Sequence, residues 1–140
     1  MSDRVFLDTN ILIYAHDRGA GERHEKARDL IDRLWWNRRG VLSTQVLQEF
    51  AVNVRRKAKN PIPAEEVEAV IRDYLTWEVV VNGGEAILGA LKVEERYGIS
   101  FWDALLVSAA NLAGVDQLFT EDLNHGQKYD TVQVINPFVE

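Results

Sequence analysis

Short apolar runs alternate with amphipathic stretches along the whole chain. The runs predict five strands, over residues 4–8, 41–43, 78–81, 117–120 and 131–135. The longer stretches have apolar residues three or four positions apart, which is typical of helices. They predict helices over residues 9–15, 24–37, 44–57, 64–75, 84–97 and 100–113. Strands that alternate with helices indicate crossover connections and a parallel sheet covered on both faces. The pattern therefore predicts an α/β fold, a three-layer α/β/α sandwich with a mainly parallel five-stranded sheet.

The organisation of the chain indicates one domain. No internal repeat, low-complexity tract or linker interrupts the alternation, and 140 residues are enough to bury a substantial core. We therefore expect residues 1–140 to form a single domain. Gly40 lies between the second predicted helix and the second predicted strand, and we expect it to end that helix.

Composition narrows the cellular setting and the kind of site. No stretch approaches the roughly 20 apolar residues that a membrane span needs, so we expect no membrane association. The N-terminal residues lack the pattern of a secretion signal. The sequence has no cysteine, which excludes disulfides and thiolate metal sites and favours a cytoplasmic location.

Net charge limits the role that nucleic acid can have. The chain has 16 Lys and Arg against 22 Asp and Glu, a formal charge of −6. Proteins that coat nucleic acid are usually basic, because phosphate contacts dominate their affinity. The charge therefore disfavours passive nucleic-acid binding, but it permits a nuclease that gathers carboxylates in a cleft.

Four acids lie where a parallel sheet usually places its ligand site, at the carboxyl ends of the strands. Asp8 ends the first predicted strand, and Asp122 follows the fourth. Glu49 lies in the helix after the second strand, and Asp103 lies in the first turn of the helix before the fourth strand. Each acid also has a structural explanation. Asp8 can cap a helix, Asp122 can form an Asx-turn, Glu49 can be a solvated helix charge, and Asp103 fits a capping box that begins at Ser100.

The neighbours of two acids favour a metal site over these explanations. Glu49 and Asp103 are surrounded in sequence by apolar residues with little Lys or Arg nearby. A partly desolvated carboxylate needs a partner or takes up a proton. Oxygen ligands suit a hard cation, Mg²⁺ or Mn²⁺. Zinc is disfavoured, because cysteine is absent and the three histidines lack ligand spacing.

Four segments together resemble a known family. They are FLDTNIL over residues 6–12, STQVLQEF over residues 43–50, SFWDAL over residues 100–105 and LFTEDLNHG over residues 118–126. Each segment is weak evidence alone, but the four in this order resemble the PIN-domain ribonucleases, and within them the VapC-type toxins of toxin–antitoxin pairs. The resemblance covers the whole chain.

The resemblance implies a metal-dependent endoribonuclease that hydrolyses RNA phosphodiesters with Mg²⁺ or Mn²⁺. It implies that the catalytic quartet is Asp8, Glu49, Asp103 and Asp122. We expect Asp8, Asp122 and Asp103 to bind the metal, the last directly or through water, and Glu49 to orient water. Asn10 and Thr120 are the expected polar helpers, and Glu121 is an alternative to its neighbour Asp122.

The resemblance also implies partners, namely a cognate antitoxin protein and a second copy of the chain in a homodimer. Adjacent Trp35 and Trp36 cannot both point into one core, so we expect one of them to contribute to a partner surface. Possible RNA contacts are Arg55, Arg56 and Lys57, although these charges can equally complement the negative end of their helix. Trp102 can stack on a base or pack in the core, and His125 lies close in sequence to Asp122.

Three other functions compete with this interpretation. A haloacid-dehalogenase-like phosphatase also has an Asp after its first strand, but its second Asp would fall at position 10, which is Asn10 here. A non-catalytic binding module on the same fold would be expected to lose the acids, and all four are present. A PIN nuclease of RNA processing, outside any toxin–antitoxin pair, shares every motif above. The sequence does not predict which RNA is cleaved.

Overall fold

The central sheet places the carboxyl ends of its main strands at one edge. The computed structural model describes residues 3–139. Its strands are β1 Val5–Leu7, β2 Gly40–Ser43, β3 Glu78–Val80, β4 Gln117–Phe119, β5 Lys128–Tyr129 and β6 Val132–Ile135. Their order is β3-β2-β1-β4-β6-β5, and every neighbouring pair is parallel except β5 with β6. The strand β1 is therefore central, with β2 on one side and β4 on the other.

The predicted count of five strands is wrong by one. The additional strand, β5, has only two residues and pairs antiparallel with β6 at the sheet edge. The two strands are joined by a tight turn in which Asp130 has a positive φ of 56°. A two-residue strand is too short to produce a periodic pattern, so this hairpin could not be recognised from alternation alone.

Six α-helices cover the sheet, and none of the described helices is long and apolar enough to cross a membrane. They are α1 Thr9–His16, α2 Glu22–Asn37, α3 Thr44–Arg56, α4 Ala64–Tyr74, α5 Gly84–Tyr97 and α6 Phe101–Ala113. The helix α1 packs on both α2 and α3, and α3 packs on α4, while α5 and α6 form a separate antiparallel pair. All three residues of β1 are buried, so both faces of the central strand are covered. The three-layer α/β prediction is confirmed.

The end of α2 differs from the prediction that Gly40 closes it. The left-handed position after this helix belongs to Arg38, whose φ is 56°, and Gly40 is already the first residue of β2. Gly40 is instead required by a close approach. A Cβ there would lie 2.0 Å from Cζ3 of Trp77, so a glycine lets that indole pack against the strand.

Candidate active site

Asp8 lies at the end of the central strand and is held at both carboxylate oxygens. Its backbone N–H donates to the Phe119 carbonyl at 3.0 Å, which ties the ends of β1 and β4 together. Asp8 is the N-cap of α1, and its Oδ1 accepts from the Thr9 N–H at 2.6 Å. Its Oδ2 accepts from the Thr120 hydroxyl at 2.7 Å. The predicted capping role is therefore real, and it places a carboxylate that is only 4% exposed at the strand edge.

Burial makes ionisation of Asp8 unfavourable. Desolvation raises the pKa of its carboxyl from the ordinary 3.8 to about 7, against the hydrogen bonds from Thr120 and Thr9, which lower it. The negative charges of Asp122 and Glu49 raise the pKa further. A buried carboxyl that accepts two hydrogen bonds and still titrates near neutrality is one that a nearby positive charge would stabilise strongly.

Glu49 reaches the same edge from the second turn of α3. Its Oε1 accepts from the Thr9 hydroxyl at 3.1 Å. Partial burial raises the pKa of Glu49 above its usual value, the Thr9 hydrogen bond opposes this, and the charges of Asp103 and Asp122 add to the increase. The side chain that orients Glu49 therefore belongs to the residue that follows Asp8.

Asp122 follows β4 and is held by two polar neighbours. Its backbone N–H donates to the Thr120 hydroxyl at 3.1 Å, and its Oδ2 accepts from Nδ2 of Asn10 at 3.1 Å. Partial desolvation raises the pKa of the Asp122 carboxyl, and the negative charges of Asp103 and Glu121 raise it further. Thr120 thus bridges two acids, because its hydroxyl donates to Asp8 and accepts from Asp122.

Asp103 completes the group from the first turn of α6. Its backbone N–H donates to the Ser100 hydroxyl at 3.1 Å, as the predicted capping box requires. Its carboxylate is close enough to Glu49 and Asp122 for its charge to raise the pKa of both. Within residues 3–139, no Lys, Arg or His forms an ion pair with any of the four acids. The structure therefore gathers four mutually repelling carboxylates without a basic partner.

Glu121, the alternative to Asp122, points elsewhere. Its carboxylate accepts a short hydrogen bond from the Tyr14 hydroxyl and one from Nε of Arg23 at 3.0 Å. The guanidinium of Arg23 also lies over the rings of Tyr14 and Phe138, 5.8 and 5.5 Å from their centroids. Glu121 is thereby neutralised by its own partners, whereas Asp122 faces Asn10 and the other acids.

Two residues beside the acids were not among the predicted site residues. Thr9 orients Glu49 through its hydroxyl. Gln45 is 5% exposed, donates from Nε2 to the Trp102 carbonyl at 3.2 Å, and lowers the pKa of the Glu49 carboxyl. Gln45 precedes Glu49 by four positions on α3, so the two share a helix face. This spacing could have identified Gln45 as a neighbour of Glu49 from the sequence alone.

The family follows from a comparison of the sequence with protein-family models. The model described as "PIN domain" matches residues 5–130. The chain belongs to the PIN-domain family. No curated protein matches the sequence.

Solved structures with this PIN fold share little sequence with the chain. A toxin–antitoxin complex from Klebsiella pneumoniae is 17% identical, with a TM-score of 0.71 over 96% of this chain and 98% of that one. VapC20 from Mycobacterium tuberculosis, described as a sarcin-ricin loop cleaving toxin, is 17% identical, with a TM-score of 0.61 over 81% and 86% of the two chains. A structure of FitAB bound to a DNA fragment is 16% identical, with a TM-score of 0.70 over 97% and 96%. These likenesses show a shared fold.

The polar groups of this PIN domain fit a hard divalent cation in charge and donor type. The acidic edge offers only oxygen atoms, which Mg²⁺ and Mn²⁺ prefer. Two further oxygens there, Oδ1 of Asn10 and Oε1 of Gln45, are buried and have no hydrogen-bond partner. Among the described residues, no three acidic or histidine side chains are grouped closely enough to hold a metal ion by themselves. The donors present therefore suit an ion that keeps part of its water shell.

The predicted RNA contacts lie at the other end of α3 from the acids. Arg55, Arg56 and Lys57 are exposed, and Nε of Arg55 donates to the Ala51 carbonyl of its own helix at 2.8 Å. The rise of an α-helix separates Glu49 from Arg55 by about 9 Å along the axis. Trp102, which is 63% exposed, directly precedes Asp103 in sequence.

Proposed function

We propose that this PIN-domain protein is an endoribonuclease that hydrolyses RNA phosphodiesters with Mg²⁺ or Mn²⁺. The observation that carries the proposal is the set of four carboxylates at the carboxyl edge of the sheet, which repel one another and have no basic partner among the described residues. Without a compensating charge such a group destabilises the folded protein, because the carboxylates repel one another and are partly desolvated. A bound divalent cation would offset both the repulsion and the desolvation.

In this proposal the acids divide the work of hydrolysis. Asp8, Asp103 and Asp122 hold the metal, which when bound lowers the pKa of water and offsets charge that develops on the phosphate. Glu49 orients the attacking water and accepts its proton. Its raised pKa suits that role, because a base works best when its pKa approaches the operating pH. Thr120 and Asn10 fix the orientation of Asp8 and Asp122.

Metal removal tests the proposal directly. We expect EDTA to abolish cleavage of a mixed RNA pool by the wild-type protein, and excess Mg²⁺ or Mn²⁺ to restore it, because carboxylates alone cannot stabilise the negative charge that develops on the phosphate during hydrolysis. The measurement is the appearance of short products on a denaturing gel over time. Cleavage that continues in EDTA would contradict the metal dependence. A protein that cleaves nothing under any metal condition would instead be a non-catalytic PIN module.

Replacing Thr120 by valine tests the bridge between two acids. Valine has nearly the same shape, but it neither donates to Asp8 nor accepts from the Asp122 N–H. We expect cleavage to fall about 10- to 100-fold, the usual cost of losing a group that orients metal ligands. Thr120→Ser is the matched control, because it keeps the hydroxyl and should stay within a few-fold of wild type. Equal rates for the two variants would show that the hydroxyl has no such role.

We also propose that the protein is the toxin of a toxin–antitoxin pair. Support comes from the solved relatives that are toxin–antitoxin complexes. Trp36 is 88% exposed while the adjacent Trp35 packs on Tyr74 and Trp77, so the indole of Trp36 is available to a partner. The proposed partners are an antitoxin and a second copy of the chain. A small gene directly beside this one is the genomic setting expected of a toxin.

The path of RNA forms the last part of the proposal. The strand would pass over the acids and along α3, where Arg55, Arg56 and Lys57 offer cationic contacts to phosphates. Trp102 offers an exposed indole next to Asp103 for a base to stack on.

A further inference from the structure

Gln45 carries an unusual polar atom beside the acids. The residue is 5% exposed, and its side-chain carbonyl oxygen is buried without a hydrogen-bond partner. Among the described residues, two other side-chain oxygens are of this kind: Oδ1 of Asn10, whose amide nitrogen donates to Asp122, and Oδ1 of Asn82, which follows β3. Buried acceptors are normally satisfied, so each of these oxygens requires an explanation.

The orientation of the Gln45 amide is fixed by its neighbours. Its nitrogen donates to the Trp102 carbonyl at 3.2 Å, and the Gln45 side chain also lowers the pKa of the Glu49 carboxyl. A backbone carbonyl can only accept hydrogen bonds, and so can an ionised carboxylate. A flipped amide would therefore place the Gln45 oxygen against the Trp102 carbonyl oxygen, which is unfavourable. The amide of Asn10 is oriented in the same way, because its nitrogen donates to Asp122. Both carbonyl oxygens must therefore find their donor elsewhere.

The surrounding chain does not supply that donor. The neighbouring side chains at this edge are mainly carboxylates, which when ionised have no proton to donate. The hydroxyl of Thr9 donates to Glu49, and that of Thr120 donates to Asp8. The missing donor must therefore come from outside the chain. Water bound to a cation is a strong hydrogen-bond donor, and the cation itself offsets the negative charge of the carboxylates.

We propose that Gln45 is a positioning residue of the metal site, whose carbonyl oxygen accepts a hydrogen bond from water bound to the divalent cation. This inference rests on the proposed function and adds to it a residue outside the acidic quartet. Mg²⁺ gives up its water reluctantly and usually keeps several molecules when bound to protein. A buried amide oxygen behind the carboxylates holds such a water in place and so helps to fix the ion. The same role for Asn10 would place a second acceptor on the Asp122 side.

The experiment compares Mn²⁺ binding by the full-length protein and two variants, followed as the loss of free Mn²⁺ signal in electron paramagnetic resonance at pH 8. Gln45→Met keeps the length and unbranched shape of the side chain but removes its amide. We expect it to weaken Mn²⁺ binding about 10- to 100-fold. Gln48→Met is the matched control, because Gln48 is exposed on the same helix, and its affinity should equal that of wild type. Mg²⁺ competition against Mn²⁺ checks that both ions use the same site.

A third variant separates water binding from the link between α3 and α6. Gln45→Glu keeps an acceptor oxygen but loses the N–H that donates to the Trp102 carbonyl. We expect it to bind Mn²⁺ at least as tightly as wild type. If both Gln45 variants lose affinity equally, the contact with Trp102 is what matters and the proposal is overturned. Melting temperatures in EDTA show whether each variant remains folded.

The remaining outcomes are also decisive. Unchanged Mn²⁺ affinity in Gln45→Met, with a change only in the melting temperature of the metal-free protein, would show that the oxygen holds an ordinary structural water. Absence of Mn²⁺ binding to the wild-type protein would overturn the inference together with the metal dependence. Mn²⁺ binding that depends on Gln45 in a protein that cleaves no RNA would leave the inference standing and refute the proposed nuclease.

Discussion

Replacing Asp8 with asparagine is expected to lower RNA cleavage about a thousandfold, equivalent to about 4 kcal/mol of transition-state stabilisation. The substitution is nearly isosteric, and asparagine is as good an N-cap as aspartate, so the bond from the Thr9 N–H can persist. The amide nitrogen then takes the place of the second carboxylate oxygen and donates to the Thr120 hydroxyl, so the direction of that hydrogen bond is reversed. The variant therefore removes a negative charge at the centre of the acid group while leaving the surrounding packing in place.

The measurement is the initial rate of cleavage with saturating Mg²⁺ or Mn²⁺, for wild type and variant at equal concentration. Asp29→Asn is the matched control, because Asp29 is exposed on α2 and forms no ion pair within residues 3–139. We expect its rate to equal that of wild type. Equal rates for Asp8→Asn and wild type would refute the assignment of Asp8 to the catalytic group.

The contribution of Asp8 to the stability of the metal-free protein is expected to fall as the pH rises from about 4 to about 7. The pKa of Asp8 is raised from 3.8 to about 7 in the folded protein. Between these values the folded state holds a proton that the unfolded state has released. The proton on Asp8 therefore contributes about 4 kcal/mol to the free energy of unfolding. This contribution is complete below pH 4 and is lost as the pH rises through 7. Glu49 and Asp122 have raised pKa values and act in the same direction. His16 acts in the opposite direction, because burial lowers its pKa from 6.5 to about 4.

Urea unfolding in EDTA at pH values from 4.5 to 8 measures this effect. Relative to wild type, Asp8→Asn should gain stability as the pH rises and should be the more stable protein at pH 8, because it has no charge to bury. Saturating Mn²⁺ should stabilise wild type more at pH 8 than at pH 5, because the ion binds the ionised carboxylates. Parallel pH profiles for wild type and Asp8→Asn would contradict the burial-driven shift of this carboxyl.

The sequence predicts the layers of this fold well because they depend on local periodicity. Each of the six α-helices and the five longer strands was expected near its observed position. The hairpin strand β5 and the role of Gly40 were missed for different reasons. The hairpin is too short to carry a pattern, and the need for glycine at position 40 depends on the ring of Trp77, which is far away in sequence. Such contacts exist only after the chain has folded.

The candidate site was also only partly predictable from the sequence. The placement of the acids at one edge could be predicted because the carboxyl ends of parallel strands lie together there, a rule that needs only the order of elements. Their role in metal binding and catalysis stays a prediction. The structure brings together Asp8, Glu49, Asp103 and Asp122, together with Thr120 and Asn10. The contribution of Gln45 could not be weighed in advance, because its significance comes from a backbone carbonyl on another helix and from an oxygen left without a donor.

The capping residues of three helices have an electrostatic consequence for the acidic edge. Asp8, Ser43 and Ser100 are the N-caps of α1, α3 and α6, and the acids lie at or near these N-termini. Aligned peptide dipoles place about half a positive charge at each helix N-terminus. The backbone itself therefore offsets part of the repulsion among the carboxylates, before any ion binds. An approaching phosphate would meet an edge that is less negative than its count of acidic side chains suggests.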